Sequence, residues 1–401
     1  MKEKTVCIAG GGASGLIAAI FAAKSGANVI LLEQNNKPGR KLLATGNGKC
    51  NLTNTRQEPA CYHGKHPEFA WQVISRFPMQ ETVAFFSGLG IYTRNRDGYL
   101  YPASGEAASV LEVLEQEARY RKVKIKCRET VQDILENPEP EKGKWLVKTA
   151  SWQYAADCVI LACGSSASSV EGSAGIGYDL AEKLGHKVVK PLPALVPVVC
   201  KGNFFSRWAG VRVEGTVSLA VNGTIFREER GELQLTDYGI SGIPVFQISG
   251  YAVRLLDEGV PVELVLDFLP DFPEESLPGF LKARMDNCPY KSLRESLTGL
   301  FPQKLIQVLT EGITDIAALA ERIKCFVLQA KGPRSLKQAQ ICSGGVSTEE
   351  ISADTMESQL CSGIYFAGEL VDVDGLCGGY NLQWAWSSGV CAGIHAAEGK
   401  E

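Results

Sequence analysis

The chain has 401 residues, 45% of them hydrophobic and 21% charged, with a net charge of −4 and a pI near 5.8. This balance belongs to a globular protein of two or three domains, large enough to fold without staples. It excludes a global attraction for nucleic acid or anionic membrane, so a small-molecule partner is expected. Thirteen cysteines, none at Cys-x-x-Cys spacing, read as reduced cytoplasmic thiols and not as a disulfide framework, a redox dithiol or a metal centre. No stretch has the ~18 uninterrupted apolar residues of a membrane span.

In chain order, strands are expected at 5–9 and 28–33 with a helix at 14–25 between them, which together make a βαβ unit. A polar loop at 34–66 leads to helical patterns near 67–88 and 106–121. Short strands follow at 123–127, 131–136, 144–149 and 157–162, the last of them resembling a meander that returns to the sheet. At Pro191-Leu192-Pro193 the pattern changes. Strands at about 195–200, 211–221, 224–227 and 232–236, a helix at 242–257 and a strand at 261–267 suggest a β-rich unit, and 274–329 is helical in pattern. A strand at 363–367 and a helix near 381–397 close the chain. The expected fold is α/β. A discontinuous Rossmann-type nucleotide domain, 1–190 plus 340–401, is interrupted by a β-rich insertion on the substrate side, 191–273, and a small helical subdomain, 274–339.

Gly10-Gly11-Gly12-Ala13-Ser14-Gly15 supplies G-x-G-x-x-G between the first strand and the first helix. There the backbone N–H groups and the helix dipole receive a pyrophosphate. Gly10 serves the tight turn, Gly12 the close approach of phosphate and Gly15 the packing of helix on strand, while Ala13 and Ser14 lie in the first turn. Glu33, 18 residues after Gly15, ends the second strand with Gln34 beside it. A carboxylate in that place accepts hydrogen bonds from both ribose hydroxyls. The same glycines interrupt the apolar stretch 1–23, which argues against a secretory leader. By itself the fingerprint serves NAD and FAD equally.

The stretch Gly39-Arg40-Lys41-Leu42-Leu43-Ala44-Thr45-Gly46-Asn47-Gly48-Lys49-Cys50-Asn51-Leu52-Thr53-Asn54 narrows the choice. It resembles the G-R-K-x-x-x-[ST]-G-x-G-[KR]-C-N-x-[ST]-N signature of the HI0933-like (YhiN/BaiN) flavoprotein family. The resemblance continues at 343–351, 363–375 and 378–383, and so spans the chain. It implies non-covalent FAD, NAD(P)H as a possible reductant, and an oxidoreductase that passes a hydride through flavin N5. By the same resemblance Arg40 and Lys41 lie near phosphate or ribose, and Asn47, Gly48, Cys50 and Asn51 form a loop against the flat ring. Val131 lies near the adenine. Ala162 and Gly164 end a strand that returns beside the cofactor, with Cys163 in place of the usual threonine. Gly368 and Glu369 meet the ribityl chain, Glu369 standing for the usual aspartate. Asn381 and Leu382 open the last helix, whose N–H groups stabilise negative charge at flavin N1 and O2. The glycine-rich segment 172–178 reads as a cofactor-side or substrate-side loop, which leaves the reductant's site unplaced.

Catalytic groups carry the least pattern. Tyr99 and Tyr101, clustered with Arg94 and Arg96, are candidates for protonating a substrate carbon opposite the hydride, against the alternative of an ordinary hairpin with exposed aromatics. Cys50 is a candidate reactive thiol, against a small packing residue. Trp208, Tyr238, Phe246, Trp384 and Trp386 either line an apolar pocket or pack in cores. Reduction of ring double bonds in dehydro bile acids, an activity within the resembling family, implies an NAD(P)H-supported enone reductase. Amine or aminoketone oxidation, and RNA modification by an FAD protein, are the rival readings.

Overall fold

A computed structural model describes residues 3–167 and 175–398. The chain divides into two compact units, Met1–Pro191 with Ile341–Glu401, and Leu192–Gln340. Each has its own apolar core.

In the first unit, β1 (Thr5–Ala9), β2 (Asn28–Glu33), β3 (Lys124–Cys127), β4 (Cys158–Leu161) and β5 (Ile364–Phe366) form a sheet in the order β5-β4-β1-β2-β3. Every neighbouring pair is parallel. β4 and most of β1 are buried, as their unbroken apolar runs require of strands covered on both faces. α1 (Ala13–Lys24) leaves β1 where the strand order reverses, with β2 on one side and β4 on the other. That crevice is the place where parallel α/β sheets bind ligands. α2 (Tyr380–Glu398) lies against α1 so closely that a Cβ at Gly389 would sit 2.5 Å from Ile17 Cγ2, and one at Gly393 2.4 Å from the Ala18 carbonyl oxygen.

Two details of this unit depart from the sequence reading. The segment 123–127, expected beside the meander, is the parallel edge strand β3. The meander itself has three strands, Val131–Glu136, Trp145–Thr149 and Gln153–Ala156. The pattern at 67–88 is two helices, Pro67–Ile74 and Met79–Gly88, because Pro78 has no N–H to continue a helix and instead caps the second one.

The second unit is built on a closed six-stranded barrel, in the order Val198–Cys200, Gly239–Ser241, Thr224–Leu235, Val211–Val221, Glu263–Asp267, Phe326–Pro333. Its long hairpin turns at Asn222 and Gly223, with φ of +50° and +76°. Two positive φ values are what a two-residue turn needs to match the twist of its strands. The separate helical subdomain expected at 274–339 is not formed. Phe326–Pro333 is the strand that closes the barrel, and Leu281, Leu305, Leu309, Leu319 and Ile323 of the intervening helices share one core with it. Leu328 and Ala330 alternate inward from this strand, a period of two that its Leu, Gln, Ala and Lys content disguises as helix. Among the described residues no helix is long and apolar enough to cross a membrane.

Candidate active site

The first unit brings the glycine loop, the acid ending β2 and the later loops together. A Cβ at Gly15 would lie 1.9 Å from the Gly10 carbonyl oxygen, and one at Gly10, where φ is +109°, 2.4 Å from that of Ala162. Only glycine allows the loop to fold this tightly between β1 and the end of β4. Gly12 instead faces open space: nothing lies within 4 Å of where its Cβ would be. α1 has no side-chain cap and no acid in its first turn, where Ala13 and Ser14 stand. Its first N–H groups are therefore left for an anion.

Glu33 is 7% exposed. Its Oε2 accepts the Gly11 N–H at 2.8 Å, and Oε1 accepts both the backbone and side-chain N–H of Asn35. The carboxylate is thus aimed at the loop, with lone pairs remaining for ribose hydroxyls. Gln34 follows it, and Arg40 donates to Asn35 Oδ1 at 2.8 Å.

The expected phosphate and ribityl ligands form one ion pair. Lys41 Nζ lies 2.6 Å from Glu369 Oε2 and donates also to the Ala167 carbonyl, while Glu369 Oε1 accepts Ser165 Oγ at 2.6 Å and the Cys342 N–H at 3.2 Å. Gly368 stands against α1, where a Cβ would meet Ser14 Oγ at 2.4 Å. Ala162 caps Gly10, Gly164 turns with φ +70°, and Val131 is a buried residue that opens the meander. Of the glycine-rich segment 172–178, the residues before Gly175 lie outside those described.

The second end of the site surrounds the start of α2. Asn47 and Cys50 adopt positive φ, as do Gly46 and Gly48, so 46–50 is a tight left-handed loop. Asn47 and Gly48 are exposed, whereas Cys50 is fully buried and its thiol is pushed up to about 12 by burial. Burial and the raised thiol favour the alternative of a small packing residue over a reactive group at Cys50. Asn51 is buried, with an Oδ1 that has no hydrogen-bond partner in the protein. Asn381 spends its side chain on the preceding loop, accepting the Gly375 N–H and donating to the carbonyls of Gly375 and Leu376. The expectation for Asn381 therefore falls to its backbone. Leu382 packs against the core.

The sequence reading missed what Gln383, Trp384 and Trp386 do. Gln383 accepts Thr53 Oγ1 and donates to Phe77 O, Thr82 Oγ1 and Ser387 Oγ, Trp384 Nε1 donates to Gly368 O, and Trp386 Nε1 donates to Leu52 O. The first turns of α2 thereby hold the loops that line the site. The signal was available: the amide and both indoles sit in one glycine-led block and are polar groups on an otherwise buried helix. Trp208 is likewise a core residue, fully buried in the second unit with Nε1 donating to Thr236 O.

Tyr99 and Tyr101 extend from the strand Tyr99–Pro102, the centre of a three-stranded sheet with Thr53–Asn54 and Thr93–Arg96. Both are half-buried. A Cβ at Gly378 would strike Tyr99 Cε1 at 2.5 Å, and one at Gly46 would lie 3.7 Å from Tyr101 Cε1, so the two rings bridge the 46–50 loop and the loop leading into α2. The Arg96 guanidinium stands 5.9 Å from the centre of the Tyr101 ring. Burial raises both phenols above the ordinary tyrosine value, and the Cys377 thiol adds to the effect.

A parallel sheet with a glycine loop at its switch point, an acid aimed at that loop and a polar cradle around a second helix define a dinucleotide-binding flavoprotein. The open space at Gly12 and the stranded acceptor of Asn51 fit FAD, and the enzyme class is FAD-dependent oxidoreductase. The chain belongs to the family described as HI0933-like protein Rossmann domain, which matches residues 4–395. It is 44% identical, over 98% of both chains, to the 3-dehydro-bile acid Δ4,6-reductase of Clostridium scindens. It is 30% identical to the ribosomal RNA dihydrouridine synthase of Escherichia coli, over 97% of this chain and 96% of the other. The ribosomal RNA dihydrouridine synthase of Haemophilus influenzae is 32% identical over 95% of each. Among solved structures, 3-ketosteroid Δ1-dehydrogenase from Sterolibacterium denitrificans has the same fold, with a TM-score of 0.52, 12% identity, and coverage of 99% and 100% of the two chains.

Proposed function

We propose that this protein reduces a C=C bond conjugated to a ring carbonyl in an apolar polycyclic substrate of the dehydro bile acid kind. NAD(P)H is the proposed reductant. The observation that carries this reading is the 44% identity, over 98% of both chains, to a reductase of 3-dehydro bile acids. The RNA-directed relatives strengthen the reaction class, because uridine also presents a C=C conjugated to a ring carbonyl, and its dihydro form is the product of the same addition.

FAD, when bound, supplies the hydride. The glycine loop and Glu33 would hold the pyrophosphate and ribose, and the N–H groups at the start of α2 would favour negative charge on a flavin ring bound beside them. Tyr99 or Tyr101 donates the proton that completes the saturated product. Their raised phenols keep that proton at neutral pH. The substrate gains one hydride and one proton, and NAD(P)H leaves as NAD(P)⁺.

The test is anaerobic reduction of the purified holoprotein by NADH or NADPH, followed by mixing with a 3-oxo-4,6-dienoic bile acid. Rapid flavin reoxidation with formation of a saturated bond supports the reading, and no reoxidation overturns it. A second reading, a uridine in RNA, rests on the two full-length ribosomal RNA dihydrouridine synthase relatives. Reoxidation by unmodified ribosomal RNA, but not by the bile acid, would favour it.

A further inference from the structure

A buried carboxylate at the entrance to α2 has no part in the roles described so far. Tyr62–His63 and Asp374–Gly375 form a short antiparallel pair in which His63 faces Asp374 and Tyr62 faces Gly375. His63 Nδ1 stands 3.5 Å from Asp374 Oδ2, and the Asp374 side chain is only 9% exposed. Asp374 Oδ1 is buried and has no hydrogen-bond partner in the protein. A buried carboxylate oxygen without a protein hydrogen bond is rare in native structures and asks for a partner of another kind.

Its surroundings indicate what the use is. Gly375, the next residue, is fixed from both sides by Asn381 of α2, with the Gly375 N–H donating to Asn381 Oδ1 at 2.8 Å and Asn381 Nδ2 donating to Gly375 O at 2.9 Å. On the partner strand, the Tyr62 ring meets Tyr380, the first residue of α2, edge to face at 5.9 Å. Asp374 is therefore locked to the first turn of the helix that faces the cofactor ring. Asn51 Oδ1, from the loop on which Tyr101 packs, is a second buried acceptor without a partner. Each is an acceptor that a ligand N–H or O–H would satisfy.

We propose that Asp374, oriented by His63, is a ligand-binding residue whose Oδ1 accepts a hydrogen bond from an N–H or O–H of the group bound at the start of α2. The donor is either the flavin N3–H or a hydroxyl or imide N–H of the substrate. This rests on the FAD reading above.

The experiment compares wild type, Asp374→Leu and Asp374→Ala, both without an acceptor and each checked for folding by circular dichroism, the Leu variant filling the volume if the Ala variant does not fold. Apoprotein is titrated with FAD and with N3-methyl-FAD, and holoprotein with the 3-oxo-4,6-dienoic bile acid and with uridine. If flavin is the donor, wild type binds FAD at least about ten-fold better than N3-methyl-FAD, and the variants erase that ratio at unchanged substrate affinity. If the substrate is the donor, the flavin ratio stays constant and substrate binding weakens about ten-fold or more in the variants. Folded variants that match wild type within two-fold in every titration overturn the proposal while leaving the FAD reading intact. Wild-type apoprotein that binds no flavin overturns both.

Discussion

The two ends of the cradle differ in how their polar groups are satisfied. At the end proposed for the nucleotide, Glu33 and Glu369 are each held by hydrogen bonds from the protein, and Gly10 and Gly15 of the glycine loop are packed too tightly to accept a side chain. At the ring end, Asn51 and Asp374 keep buried acceptors with no partner, and two half-buried phenols stand beside glycine loops. In the proposed reading the first end grips a constant group, the nucleotide. The ring end carries unsatisfied groups, which is where chemistry is expected to concentrate.

This contrast is open to direct attack, and the largest effect is expected at the ring end. Replacing both Tyr99 and Tyr101 by Phe should lower substrate-driven flavin reoxidation by about 10²- to 10⁴-fold, the range for loss of a general acid. FAD content, read from absorbance after gel filtration, should stay near wild type. Loss of FAD from this variant would erase the distinction between the two ends. Glu33→Ala should do the opposite, weakening FAD binding by roughly 10- to 150-fold, as loss of a hydrogen bond to a charged group predicts. Turnover of the fraction that retains FAD should be little changed, which fluorescence titration and single-turnover kinetics would check together.

The pH profile sharpens the same division. Burial lifts the phenols, so the donating form persists at neutral pH and is lost only as pH rises through the raised value. The rate of product formation at saturating substrate should therefore stay level from neutrality to about pH 10, the ordinary tyrosine value, and fall above it. A fall centred near neutrality would point to a different acid. The smallest effect is expected for Cys50→Ala. Its thiol is buried and protonated, so flavin content and turnover should both remain within about two-fold of wild type, with only a modest loss of stability from the vacated volume. A large loss of turnover with FAD retained would restore Cys50 as a reacting group.

The amino-acid sequence by itself determined the elements whose signal is local. The βαβ start was legible because apolar runs, the glycine spacing and Glu33 lie within 29 residues, 5 to 33, of one another. The change of pattern at Pro191-Leu192-Pro193 is a signal of the same local kind. Tertiary structure alone decided what depends on partners distant in the chain. Phe326–Pro333 is a strand because Val198–Cys200 and Glu263–Asp267 offer it edges, against a composition that reads as helix. Cys50 is fully buried because the core closes over it. Lys41 and Glu369, 328 residues apart, become one ion pair. The stranded oxygen of Asp374 exists only because a two-residue strand and a clamped loop shut water away from it, and hydrogen-bond satisfaction belongs to the folded neighbourhood and not to residue type.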